Sequence, residues 1–258
     1  MNANAPCPYA IEVENLTKRF RVRHMETLKS TLLGLRGRRE HVEPFTALDN
    51  VSFTIPHGQT VAVIGRNGSG KSTLLGILAR IYVPTSGIVH LWNTRCQRAR
   101  LATLLELGAG FHHELTGLEN IQFFAAMLGM SEKEIDARTP QIVAFSELGD
   151  KIDTQLRTWN DGAKLRLGFS IAVHTDPDIL LIDEVLAVGD EAFQQKCYRL
   201  IASLQAQGKT ILFVSHDLLA VERVAERVLW MHRGVIRMDG DPRTVLDAYR
   251  AFSAEQGG

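Results

Sequence analysis

The stretch Gly65–Ser72 reads GRNGSGKS, a complete match to G-x-x-x-x-G-K-[ST]. It follows a short apolar run, TVAVI (Thr60–Ile64), and opens a helical pattern, KSTLLGILARIY. Glycines at Gly65, Gly68 and Gly70, with Asn67 and Ser69 between them, let such a loop wrap with its N–H groups aimed at phosphate oxygens. The helix that starts near Lys71 adds its N-terminal dipole. Lys71 can reach the β- and γ-phosphates, and the Ser72 hydroxyl can ligate Mg2+, with Thr73 beside it. A second run, ILLIDE, puts Asp183 at the tip of a buried strand, where an acid can hold Mg2+. Glu184 follows and can take a proton from an attacking water or orient it. Two adjacent acids can also form a strand-end cap or turn. A third run, FVSHD, ends in His216, which can bond the γ-phosphate or that water, or serve structure alone. Asp190, in AVGDE, is either a helix N-cap or a contact to a second copy. Together these residue types suit transfer of a phosphoryl group to water.

Strands alternating with helices must carry this set. Ile11–Leu16 and Val51–Ile55 alternate apolar with polar residues, as half-exposed strands do. Further strands are expected at Thr60–Ile64, Ile88–Trp92, Leu101–Leu105, Ile179–Ile182, Thr210–Val214, Val228–Met231 and Val235–Met238. Helices are expected at Leu118–Leu128, Glu132–Phe145, Ala163–Val173, Glu191–Gln205, Leu218–Ala225 and Pro242–Phe252. The expected fold is α/β: a mixed, largely parallel sheet covered on both faces, with an inserted helical subdomain. Residues 1–110 and 177–258 then form the core, and residues 111–176 the helical insertion.

The chain has 258 residues, 45% hydrophobic and 22% charged, so a sizeable core is possible and disorder or a coiled coil is excluded as the main architecture. Lys plus Arg equals Asp plus Glu, which gives no global argument for nucleic acid or an anionic membrane. Cys7, Cys96 and Cys197 are too few and scattered for a disulfide framework or a Cys-rich metal site, and a reducing compartment fits best. No apolar run of about 18–20 residues occurs, so any membrane-spanning part belongs to another chain.

Charge is concentrated in one place. Lys18–Arg39 holds eight basic residues against one acid, Glu26, and Met25, Leu28, Leu32 and Leu35 fall on one helical face. This predicts a basic amphipathic helix in an insertion at about residues 22–44. It either packs on the domain through its leucines or meets a membrane surface, an anionic substrate or a partner.

GRNGSGKS, ILLIDE and SHD, in this order around a helical block, resemble the nucleotide-binding subunit of an ABC transporter along essentially the whole chain. LLELGAGFHHELTGLENI, DPDILLIDEVLAVGDEAFQQKC and TILFVSHDLLAV are similar to the ATP-binding subunits of polysaccharide exporters of the O-antigen, capsule and teichoic-acid type. The resemblance implies two copies packed head to tail, with ATP between the phosphate loop of one and the signature loop of the other. It implies that Phe20 stacks on adenine and that Asp190 bridges the subunits. Gly65, Asn67, Gly68, Ser69, Gly70, Lys71, Ser72 and Thr73 would hold the phosphates. The metal candidates are Ser72, Asp183 and Glu106, the last also at the link to a membrane subunit. Lys71, Glu184 and His216 would serve hydrolysis.

The signature loop departs from that family. In place of LSGGQ or YSSGM this chain has WNDGA at Trp159–Ala163. Gly162 is kept, Asn160 stands for the serine, and Asp161 brings a carboxylate where an anion should dock. A slow or unusually regulated ATPase is therefore expected. The resemblance implies an ATP- and Mg2+-dependent export motor on the cytoplasmic face of the inner membrane. An integral-membrane permease and a second ATP-binding subunit would be its partners, a lipid-linked glycan its substrate, and nucleic acid no partner. The alternatives are an ABC ATPase for lipids, drugs or small solutes, or a weakly hydrolysing regulatory subunit.

Overall fold

The computed structural model describes residues 7–21, 44–104, 110–183 and 191–255. Among these, β1 (Tyr9–Arg21), β2 (Pro44–Pro56) and β4 (Ser86–Leu91) form an antiparallel sheet with β1 in the centre. The other strands are β3 (Thr60–Ile64), β5 (Leu101–Leu104), β6 (Ile179–Asp183), β7 (Thr210–Val214), β8 (Arg227–His232) and β9 (Val235–Gly240). They form a second sheet in the order β5-β6-β7-β3-β8-β9, parallel except for β9. The second sheet, with its antiparallel β9, is the mixed, largely parallel sheet that was expected, and the three-stranded antiparallel sheet accompanies it.

The period of two sorts the parallel strands' side chains. Val61, Val63, Leu181, Leu212, Val214 and Leu229 pack toward the antiparallel sheet and helix α1 (Lys71–Leu78). Ala62, Ile64, Leu180, Ile182, Ile211, Phe213 and Trp230 face the other way. They meet α5 (Glu191–Ala206), α6 (Leu218–Val224) and α7 (Pro242–Glu255). Full burial on both faces is why these strands read as continuous apolar runs. Each such Leu or Ile contributes about 2 kcal/mol relative to an exposed side chain. Between β5 and β6 come α2 (Gly117–Met127), α3 (Glu132–Ser146) and α4 (Asp161–Val173). They close around their own cluster, which includes Ile121, Phe124, Ile142, Leu156, Trp159 and Leu167.

Three expectations need correction. Helix α1 stops at Leu78 instead of running on through Tyr82. Arg80 takes φ +63°, and the N–H groups of Ile81 and Tyr82 both donate to the Gly76 carbonyl, at 2.8 and 3.0 Å. Lys18–Arg21, counted with the basic helix, are strand, since they pair with Leu48, Thr46, Phe45 and Pro44 of β2. The rest of that helix lies outside the described residues apart from Pro44, which is in β2. Finally, Cys7 and Cys96, 89 residues apart, are joined by a disulfide with a Cα–Cα distance of 5.4 Å. Pairing of Ile11 with Leu91 across β1 and β4 brings the two together, which linear spacing does not reveal. Cys197 is a buried free thiol. Among the described residues, no helix is long and apolar enough to cross a membrane.

Candidate active site

Three parallel strand tips build the site. Asp183 of β6 is in register with Val214 of β7, and Val214 with Val63 of β3. The ends of the three strands that carry Asp183, His216 and the phosphate loop therefore stand side by side at the carboxyl edge, where an open α/β sheet binds its ligand. A cleft of about 330 Å³ opens there, lined by residues 67–73 of the loop, by His216, and by Phe45 and Ala47 of β2.

The loop's shape depends on glycine at two points. A Cβ on Gly65, at φ +150°, would strike the Met231 carbonyl and the Ser69 hydroxyl. One on Gly70, at φ +105°, would lie 2.6 Å from the Ala47 carbonyl oxygen. Lys71 is buried, and its ammonium donates to the carbonyls of Gly65 at 2.8 Å and Arg66 at 3.2 Å. Those bonds hold the cation over the loop it closes. The Ser69 hydroxyl is buried, with no hydrogen-bond partner among the described residues.

The start of α1 supplies the donors. Helices α2 and α3 close their N-termini with capping boxes, Thr116 with Glu119 and Ser131 with Glu134, and Asp217 caps α6. Helix α1 has Gly70 at its N-cap, no side-chain cap and no acid in its first turn. Its first residues, Lys71, Ser72 and Thr73, line the cleft, with the helix dipole behind them. The donors suit a polyphosphate, and a hydroxyl with a carboxylate, Ser72 with Asp183, is the hard-oxygen set that Mg2+ takes.

A match to the ABC transporter family model spans residues 48–187, more than half of the chain. The O-antigen export system ATP-binding protein RfbB of Klebsiella pneumoniae is 45% identical over 220 residues, 85% of each chain. The chain belongs to the ABC transporter family. The protein of the same description from Myxococcus xanthus is 46% identical over 93% of this ABC ATPase, which spans 55% of that relative's length. The teichoic acids export ATP-binding protein TagH of Enterococcus faecalis is 41% identical, with 94% and 52% covered. A bacterial ABC transporter cassette solved as a dimer superposes with a TM-score of 0.71 at 25% identity, over 90% of this chain and 99% of that one.

The remaining candidate residues of this ABC ATPase fall into three groups. Glu106, Glu184 and Asp190 lie outside the described residues. Asn160 and Gly162 stand at the start of α4 and do not line the cleft that holds the phosphate loop. Asn160 is the N-cap: its side-chain oxygen accepts from the Ala163 N–H at 2.8 Å. Trp159 is buried and donates to the Thr154 hydroxyl at 2.8 Å, which fixes the loop before the cap. Asp161 is the first helical residue, almost fully exposed, and pairs with Lys164 at 3.2 Å. Third, Phe20 does not line the cleft. Its ring meets the edge of Tyr82, with centroids 5.8 Å apart, and the Lys18 ammonium sits 4.9 Å from its centroid. Phe45, its partner in the β1–β2 register and 53% exposed, lines the cleft instead. The sequence carried a signal for it: a second large aromatic, Phe45, in the strand before β3.

Proposed function

We propose that this ABC ATPase powers export of a lipid-linked polysaccharide through a separate integral-membrane permease, at the cytoplasmic face of the inner membrane. The observation that carries the reading is the uncapped start of α1 beside the strand tips of Asp183 and His216. The similarity to O-antigen and teichoic-acid export ATPases adds the substrate class. Residues 111–176 act as the helical subdomain of an otherwise continuous core.

Two copies pack with each ATP between the phosphate loop of one and the loop Trp159–Ala163 of the other. Lys71 and the N–H groups at the start of α1 bind the phosphates. Ser72 and Asp183 would hold Mg2+, which, when bound, offsets charge on the β- and γ-phosphates. Glu184 orients the attacking water and accepts its proton, and His216 holds the γ-phosphate. Phe45 is the base platform, with Phe20 behind it. Asn160 commits its oxygen to the helix cap, so its amide N–H groups are what it offers across the dimer. Gly162 lets the phosphates approach α4, Asp190 bridges the copies, and Glu106 faces the permease.

The deciding experiment is co-purification of the chain with its membrane partner, followed by ATP-driven uptake of a lipid-linked glycan into inverted vesicles. Uptake that requires ATP and is lost in Lys71→Ala is the expected result. A partner that moves a drug or small solute and leaves the glycan behind would overturn the substrate assignment.

A further inference from the structure

Helix α3 ends in a residue poorly suited to its backbone. Glu147 is the C-cap, at φ +56° and ψ +34°, the left-handed region where glycine or asparagine is the usual choice. What a glutamate adds there is reach. One carboxylate oxygen accepts from Arg166 of α4 at 2.6 Å, and the other accepts from Lys196 of α5 at 2.8 Å. The same two cations satisfy carbonyls that the end of α3 leaves open. Arg166 donates to Ser146 at 3.1 Å and Lys196 to Phe145 at 2.8 Å. Each also lies over an aromatic ring, Arg166 over Phe193 at 4.5 Å and Lys196 over Phe145 at 4.6 Å. Phe145, Phe169 and Phe193, one from each of the three helices, pack mutually beneath them. The Arg166 and Lys196 side chains are mostly sheltered while Glu147 is itself half exposed, so the weight of the contact lies in one carboxylate joining two cations in a network and not in a single surface pair.

The helices so joined have separate duties. Helix α4 opens with the loop Trp159–Ala163, and among the described residues α5 is the next helix after β6, the strand that ends in Asp183. We propose that Glu147 is a positioning residue for hydrolysis: its carboxylate latches α4 to α5, so that the loop offered to one ATP moves with the strand and helix that serve the other. The proposal rests on the two-copy reading above. It assigns Glu147 no contact with nucleotide.

Glu147→Gln and Glu147→Asn test it in the full chain with its membrane partner. Asparagine suits the left-handed backbone better than glutamate, so a residue that merely ended α3 would be unharmed by that change. The latch predicts that MgATP turnover falls about tenfold in both variants while half-saturation moves less than about twofold. It also predicts faster amide exchange at residues 160–166 and 191–197 together, whereas a local cap would loosen only residues 143–149. Glu147→Asn with wild-type turnover and wild-type exchange at both segments overturns the proposal. Absence of MgATP turnover in the wild-type complex would instead overturn the ATPase reading. The exchange measurement then still judges the latch on its own.

Discussion

Phe20 and Phe45 face each other across β1 and β2, and side chains of directly opposed residues leave the same side of a sheet. Which of two such neighbours meets a ligand depends on what else each ring touches. Phe20 is held by Tyr82 and Lys18, and Phe45 stands exposed at the cleft. Phe45→Ala is therefore expected to weaken ATP binding roughly 5- to 30-fold, as loss of one base-stacking ring does. Phe20→Ala should cost less affinity and show instead in thermal stability, through the lost packing on Tyr82. Nucleotide titration of both variants decides the matter, and a larger binding loss in Phe20→Ala would return the platform to Phe20. The motif residues needed no such arbitration. Gly65, Gly70 and Lys71 are tied by backbone φ and short range to one loop shape, so their order in the chain already states their geometry. Phe20 and Phe45 lie on two strands, and only pairing, which sequence order leaves open, relates one to the other.

At the scale of elements, legibility followed the same division. The buried parallel strands announce themselves as apolar runs, and the helices between them by three- and four-residue spacing. The end of α1 did not show, because the Gly76 carbonyl captures two later N–H groups and turns the chain where the spacing would have continued it. Nor did the strand at Lys18–Arg21, whose state comes from β2 and not from its own charged residues. The start of α4 was readable in kind but not in assignment: Asn160 caps the helix, and Lys164 draws the Asp161 carboxylate to itself. Lys164→Ala should therefore leave that exposed carboxylate uncompensated toward the phosphates of the proposed dimer and lower turnover about threefold or more. Adding Asp161→Ser should restore the rate, and a double variant as slow as the single one would show that the pair plays no such part. Helix α3 offers a pH test. Hydrogen bonds from the Ser131 N–H and hydroxyl, and the Arg100 guanidinium, bring the Glu134 carboxyl down to about 2. Because the folded value lies below the ordinary 4.5, the stabilisation is complete above about pH 4.5 and is lost as pH falls toward 2. Amide protection at the start of α3 should fade over that window in the wild type and be weak throughout it in Glu134→Gln.

The described residues form two sheets with α1 between them, a helical lobe set on the parallel sheet's edge, and one covalent tie. The disulfide encloses β1, β2, the phosphate loop, α1 and β4 within the 89 residues separating Cys7 from Cys96. A bond closing a loop this long restricts the unfolded chain and should add about 2–4 kcal/mol of stability. A cytoplasmic ATPase would meet thiol pools that keep such a pair reduced, so the thiol form has to hold its N-terminus by strand pairing alone. The pairing is extensive: β1 is thirteen residues long and bonded on both edges, and the Trp92 N–H donates to the Ala10 carbonyl at 2.9 Å beside the disulfide. Oxidised protein should therefore melt roughly 5–10 °C above reduced protein, while the two forms bind ATP alike because the bond lies apart from the cleft. Cys7→Ser should melt with the reduced form whether or not reductant is present. Equal melting temperatures for the oxidised wild type and Cys7→Ser would show that the tie adds nothing, and weaker ATP binding on reduction would show that it shapes the site.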